Sequence, residues 1–375
     1  MSLSFSIKAS DGNARAGLVR TAHGSFLTPA FMPVGTGGTV KAMTPDSLAS
    51  SGSDIVLANT YHLMLRPGPE IVKALGGLRK MMGWPGPVLT DSGGFQVMSL
   101  SKLRKLTEDG VIFKSHIDGK EFFLSPEKSV AVQETLDATI SMVLDECTAY
   151  PCSKEEAEKS MDLSMVWAVR SKEAFNPRPG YGLFGIVQGG VHCDLRKESV
   201  IFLKEQEFDG YAIGGLAVGE DPSILHKVAS FTAGILPPEK PRYLMGVGRP
   251  EDLVQAISAG CDMFDCVLPT RSGRTGQAFT HRGTVNIRNS RHRSDLRPLD
   301  EACECPTCLS YTRGYLHHLV RSGEILGSML MTWHNIHYYQ SLMASIRSHI
   351  LAGELSKFEN EFRELYLEGD VEPLG

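Results

Sequence analysis

A (β/α)8 barrel carrying a small subdomain after its last strand is the fold class this chain predicts. Three observations predict it. Eight short apolar runs recur along the sequence, each ending in polar or glycine-rich residues. Segments with helical periodicity separate most of them. The length, 375 residues, suits a closed α/β barrel with insertions, because eight strand–helix units need about 250 residues before anything is added.

In order, the runs are AFMPVG (30–35), DIVLANTYH (54–62), PVLTDSGG (87–94), ISMVLDECT (140–148), LFGIVQGG (183–190), GYAIGGL (210–216), RYLMGVG (242–248) and MFDCVLPT (263–270). Each has the length of a buried strand and little alternation, as parallel strands covered on both faces do. Two of the intervening helices read clearly, SPEKSVAVQETLDA (125–138) and PEDLVQAISAG (250–260). The second has Pro250 near its start, acids in its first turn and Gly260 at its stop.

Two stretches break the rhythm. Residues 99–124 carry FKSHIDGKEFF, which reads as a small hairpin inserted after the third strand, with its turn at Asp118-Gly119. Residues 275–350 follow the eighth strand and read as a grafted subdomain. The predicted division is therefore a barrel over 1–274, with N-terminal strands and the 99–124 insertion. The subdomain follows over 275–350, and a C-terminal helical segment over 351–375 packs on the barrel. The last segment carries no interpretable motif.

Composition narrows the function classes. A hydrophobic fraction of 42% with 22% charged residues is that of a soluble globular chain, not a disordered one. No apolar run is long enough to cross a bilayer, so no membrane role is expected. The N-terminus lacks the basic and long apolar regions of a secretory signal. Five of the eight cysteines are scattered outside the 303–308 cluster. That odd remainder argues against a disulfide framework and for a reducing cytoplasm.

The cluster itself is C-x-C-x-x-C at Cys303, Cys305 and Cys308, followed by His334 in WHNIH. Three thiolates and one imidazole complete a tetrahedral shell for Zn2+. A shell with no open position is structural rather than catalytic. One structural zinc per chain is the expectation, which makes 275–350 a zinc-binding subdomain. His317, His318 and His337 are also within sequence reach of the cysteines.

A net charge of −5 excludes general adhesion to nucleic acid. Between residues 271 and 297, however, lie seven arginines against one acid, Asp295. Such runs are often solvated faces. Arginine throughout, rather than lysine, instead suits bidentate contact with phosphates. Arg271, Arg274, Arg288 and Arg291 are the candidate RNA contacts.

Barrel enzymes act at the C-terminal ends of their strands. There this chain gathers Asn59 and His62, Asp91 with Ser92-Gly93-Gly94, Asp145-Glu146-Cys147, and Gln188-Gly189-Gly190. Gly214-Gly215, Met245-Gly246 and Asp265 with Arg271 complete the set. Asp91 and Asp145 could each be a helix cap. Together, carboxylates from three strands suit glycosidic chemistry, in which one is the nucleophile and another moves protons. An amide and open glycine backbone suit a planar base. A carboxylate accepts two N–H groups at once, as from the N1–H and 2-amino edge of guanine. The residues point to glycosyl chemistry on a nucleic acid, with a sugar hydrolase still open.

TDSGGFQV (90–97), DECT (145–148), GIVQGG (185–190), GGLAVGE (214–220), YLMGVG (243–248), DMFDCVLPTR (262–271) and the 303–308 cysteines resemble bacterial tRNA-guanine transglycosylases over nearly the whole chain. The resemblance implies exchange of the anticodon wobble guanine of tRNA for 7-aminomethyl-7-deazaguanine, in queuosine biosynthesis, through a covalent Asp–ribosyl intermediate. It makes Asp265 the nucleophile and Asp91 the general acid/base. Asp145, Gln188, Gly215 and Leu216 become base readers, Met245 a wall of the slot and Phe95 a stacking aromatic. Arg271 and Arg274 fall beside the flipped nucleotide. Cys147 and Glu220 look bacterial, which implies the aminomethyl base rather than free queuine. The resemblance also implies a cytoplasmic homodimer and the four zinc ligands already named. The other readings are a retaining glycosidase on carbohydrate and an RNA-binding barrel without activity. Both fit less well, since aromatics for sugar stacking are sparse and both Asp91 and Asp265 are present.

Overall fold

The computed structural model describes residues 3–100 and 104–372. Residues 101–103 of the expected insertion and 373–375 of the C-terminal segment lie outside the described residues. The eight apolar runs form eight parallel strands. They are β1 (Ala30–Pro33), β2 (Val56–Ala58), β3 (Val88–Thr90), β4 (Ile140–Met142), β5 (Gly182–Val187), β6 (Gly210–Ile213), β7 (Arg242–Leu244) and β8 (Met263–Cys266). Each pairs with its sequence neighbour, and β8 pairs with β1. A parallel bridge between Val34 and Leu57, with the Gly35 N–H donating to the Leu57 carbonyl at 2.6 Å, joins β1 to β2 and completes the ring. Strands such as VLA, VLT and ISM are buried at every position, which is why their sequences do not alternate.

The outer helices start where capping chemistry places them. Ser125 caps Pro126–Thr135, its Oγ accepting from the Lys128 N–H. Ser153 and Glu156 form a reciprocal capping box at the head of Lys154–Ala174. That helix buries Ala157, Ser160, Met161, Ser164, Met165, Ala168 and Ser171, a stripe at three- and four-residue spacing against the barrel.

A three-stranded antiparallel sheet, Ser4–Asp11, Ala14–Thr21 and Gly24–Thr28, precedes β1. It covers the end of the barrel where strands begin. The Leu3 N–H bonds the Tyr181 carbonyl just ahead of β5. Arg15 reaches Asp262 just ahead of β8, and both side chains are buried.

The insertion after β3 is a three-stranded sheet, Arg104–Thr107, Gly110–Lys114 and Glu121–Leu124, one strand more than the hairpin expected. A second Asp-Gly turn at 109–110 accounts for the extra strand. Gly110 has φ 152°, and a Cβ there would come within 2.4 Å of the Leu124 carbonyl oxygen. The turn at Gly119, with φ 72°, is the one read from sequence.

Beyond β8 come a hairpin, Gln277–Thr280 with Gly283–Asn286, and helices Arg313–Ser322 and Ile325–Ala352. The 28-residue helix Ile325–Ala352 does not stay within a grafted unit. Leu330 and Met331 join the core around the cysteines, whereas Tyr339, Met343, Ile346 and Ile350 join the barrel core. Gln340 donates to the Phe31 carbonyl of β1 at 3.0 Å. Helix Leu355–Glu368 then places Leu355 and Phe358 in the same barrel core.

Candidate active site and metal centre

The end of the barrel where the strands finish collects the strand-end residues picked out in the sequence. Asp91, directly after β3, is buried. Its Oδ1 accepts the Thr60 N–H at 2.8 Å, and its Oδ2 accepts from the Asn59 amide. Burial pushes its carboxyl up to about 6 against those two donors, and Asp265 nearby adds to the rise. A carboxyl that titrates near neutral pH can both give and take a proton.

Asp145 follows β4 and is also buried. Gln188 Nε2 donates to its Oδ2 at 2.7 Å and Ser92 Oγ to its Oδ1 at 3.1 Å. Burial still raises its carboxyl above the usual range, and the two donors only partly offset this. A ligand bringing N–H donors to this carboxylate would favour its charged form.

Asp265, on β8, is half-buried. Its Oδ1 accepts both the Tyr243 hydroxyl at 2.5 Å and the Gly246 N–H at 2.9 Å. Both described hydrogen bonds thus fall on one oxygen. Burial raises this carboxyl as well. Tyr243 and Thr60 are contributors the sequence reading passed over. Tyr243 was findable, since it stands in the YLMGVG run and its strand β7 pairs with β8, which carries Asp265.

The loop after β6 carries Gly215, with φ 65°, then the buried Leu216 and Ala217, whose φ of 57° is unusual for a residue with a Cβ. Glu220 explains how that backbone is held: its two carboxylate oxygens accept the Ala217 N–H at 2.6 Å and the Val218 N–H at 3.0 Å. A planar trans peptide with its N–H on Glu220 points the Leu216 carbonyl the opposite way. Cys147 is half-buried next to Asp145, and burial pushes its thiol up to about 12. The thiol is therefore neutral near pH 7. Met245 is half-buried, and Phe95, 51% exposed, stands in the first turn of helix Gly94–Leu100.

The arginine run divides. Arg271 and Arg274 lie on helix Leu268–Thr275, one turn beyond Asp265, with Arg271 exposed. Arg288 is exposed and donates to the Thr275 carbonyl at 2.8 Å. Arg291 instead pairs with Asp370, Arg282 with Glu368 and Arg297 with Asp295. The C-terminal segment, unreadable in sequence, supplies two of those three acids.

Cys303, Cys305, Cys308 and His334 are all buried, and their ligand atoms lie within 4.8 Å of one another. His334 Nδ1 is 3.6 Å from Cys305 Sγ and 3.3 Å from Cys308 Sγ. Ligands tetrahedrally arranged around zinc stand about 3.5–3.8 Å apart, so the donor set fits one structural Zn2+. His334 Nε2 is 2.8 Å from the Phe279 carbonyl. That contact holds the ring proton on Nε2 and turns Nδ1 to the metal. His337, one turn further on, touches Cys303 Sγ at 3.6 Å but lies outside the group of four. His317 is turned to the Ile287 carbonyl.

Comparison with known proteins places this geometry in a family. The family model described as queuine tRNA-ribosyltransferase matches residues 10–368. The queuine tRNA-ribosyltransferase of Cereibacter sphaeroides is 59% identical over 371 residues, covering 99% of each chain. That of Granulibacter bethesdensis is 58% identical over 372 residues, covering 99% of this chain and 98% of its own. The Rickettsia akari protein of the same name is 59% identical over 351 residues, 94% of this chain and 97% of its own. This chain belongs to the queuine tRNA-ribosyltransferase family.

Proposed function

We propose that the protein is a tRNA-guanine transglycosylase that replaces the wobble guanine of tRNA with 7-aminomethyl-7-deazaguanine, in queuosine biosynthesis. The observation that carries this reading is the pairing of two differently prepared carboxylates. Asp145 is buried and oriented by Gln188 and Ser92. Asp265 has Oδ1 occupied by two donors and Oδ2 without a described partner.

The wobble guanosine flips out of its loop so that its base enters the slot. The guanine N1–H and 2-amino group meet Asp145, and Gln188 serves the opposite polar edge. Asp265 Oδ2 attacks the anomeric carbon: a C–O ester bond forms, the bond to the guanine nitrogen breaks, and the base leaves with a proton from Asp91. The incoming deazaguanine occupies the same slot. Asp91 takes the proton from its ring nitrogen as that nitrogen attacks, and the ester is released. Two inversions leave the sugar configuration unchanged. The Leu216 carbonyl, turned outward by Glu220, is the acceptor for the cationic aminomethyl arm, and Cys147, Met245 and Phe95 bound the slot. Zinc held by Cys303, Cys305, Cys308 and His334 would supply no step; it would hold the subdomain that carries Arg288. Arg271, Arg274 and Arg288 receive phosphates.

No helix among the described residues is long and apolar enough to cross a membrane, and a tRNA substrate places the enzyme in the cytoplasm. We assign it a homodimer through the zinc subdomain, whose surface exposes Leu309, Tyr315 and Ile325. Light scattering tests that assignment.

Incubating unmodified tRNA with labelled guanine tests the activity. Label should appear in intact tRNA on a denaturing gel. Release of free guanine without incorporation would make the protein a hydrolase and end this reading.

A further inference from the structure

A buried cation lies behind the loops assigned to the base, with no carboxylate in ion-pair contact among the described residues, although Glu220 acts on it from a distance. Arg196, on helix Cys193–Glu205, is wholly buried. Its Nε donates to the Gly190 carbonyl at 2.7 Å and its Nη2 to the Gly214 carbonyl at 2.8 Å. Nη1 is buried with no partner among the described residues. A buried guanidinium held at short range only by neutral carbonyls is costly, and those two carbonyls show what it does.

The two carbonyls belong to different loops. Gly190 lies in the loop after β5 that carries Gln188, and Gly214 opens the loop after β6 that carries Gly215 and Leu216. Packing around them is tight. A Cβ on Gly189 would lie 2.9 Å from the Arg196 backbone nitrogen. One on Gly215 would lie 2.4 Å from Gln188 Oε1 and 3.7 Å from Arg196 Nη2. The guanidinium thus backs onto the Gly214–Gly215 main chain, against which the Gln188 side chain also packs. Its planar fork holds two acceptors at a set separation and angle, which the single point charge of lysine does not.

We infer that Arg196 is a positioning residue for base selection: it ties the loop after β5 to the loop after β6 and sets the distance between Gln188 and the Gly215–Leu216 backbone. The inference rests on the reading of this slot as a guanine site. A planar base recognised on two edges by two loops tolerates little drift between them, and a displacement near 1 Å is enough to cost about a hundredfold.

The test is steady-state exchange of labelled guanine into unmodified tRNA by the full-length protein and its Arg196→Lys and Arg196→Gln variants. KM for guanine should rise at least tenfold in both, with KM for tRNA changed less than twofold. A merely structural arginine would instead lower the melting temperature and kcat while leaving KM for guanine unchanged, and that result overturns the inference. Because altering a buried charge can unfold the chain, hydrogen exchange on the wild-type protein supplies a second readout. Saturating guanine should protect the amides of 189–190 and 214–216 as one cooperative unit. Independent protection of the two loops also overturns the inference. Wild-type protein that exchanges no guanine would remove the functional reading itself, a failure distinct from unchanged KM in the variants.

Discussion

Asp91 and Asp265 are both carboxylates at strand ends, and what separates their tasks is the set of donors each meets. Asp91 spreads two donors over two oxygens and titrates at about 6; Asp265 receives two donors on one oxygen. Asp265→Asn should therefore abolish the denaturant-stable protein–tRNA adduct, while tRNA still binds in a filter assay. An adduct surviving in that variant would move the nucleophile to Asp91. The raised carboxyl of Asp91 has a stability signature. Its folded value of about 6 exceeds the unfolded 3.8, so the folded state holds the proton more tightly across that window. Stability from this group is highest below about 4 and declines as pH rises through about 6. Asp91→Asn removes that decline. The stability of the variant relative to wild type, followed by thermal melting, should move in the variant's favour between pH 4.5 and pH 7.5, by about 2 kcal/mol. Exchange should meanwhile drop by about 10²–10⁴. A difference in melting that does not vary with pH would mean Asp91 is ionised throughout.

The same contrast between residue type and surroundings governs the elements. All eight barrel strands were legible because burial on both faces leaves an apolar run with a polar end, a pattern visible without any partner. Tyr243 and Arg196 were not, because their importance lies in what they touch: an aspartate one strand away and two carbonyls on separate loops. The arginine run was legible as charge but not as two populations, since two of the three acids that divide it, Glu368 and Asp370, stand in the C-terminal segment. Arg288 is exposed with its guanidinium only partly used. Arg291 is committed to Asp370, which also accepts from Arg313 at 2.8 Å. Arg288→Ala should lower the slope of log affinity for tRNA against log salt by about one unit, with melting unchanged. Arg291→Ala should leave the slope nearly as it was and destabilise the fold by about 1–3 kcal/mol, because a nearly buried carboxylate loses a partner. Salt titration and thermal melting of the two variants side by side decide this, and a full unit lost by Arg291→Ala would place it among the phosphate contacts after all.

At the scale of the whole molecule, the zinc ligands lie outside the eight strands, which makes the subdomain look separable in sequence. Helix Ile325–Ala352 changes that expectation. It is 28 residues and about 42 Å long, and it is apolar around much of its circumference because two cores claim different halves of it. His334 reaches the cysteines, and five residues later the Tyr339 hydroxyl donates to the Gly248 carbonyl beyond β7. Asn335, the residue after His334, receives the Phe279 N–H and donates to the Pro269 carbonyl just past β8. Metal, hairpin and barrel are thus joined through neighbouring residues of one rigid element. Zinc binding contributes directly to folding where the ligands cannot stay assembled without it. Removing it should loosen the helix at His334 and, through Asn335 and Tyr339, the strand ends that carry Asp265. Stripping zinc with a strong chelator, or replacing Cys305 with Ala, should therefore lower the melting of the entire chain in a single transition and weaken guanine binding as well as tRNA binding. Calorimetry with and without chelator is the measurement. Two separated transitions, with the higher one unmoved and guanine affinity intact, would show instead that the subdomain folds apart from the barrel and that the shared helix does not couple them.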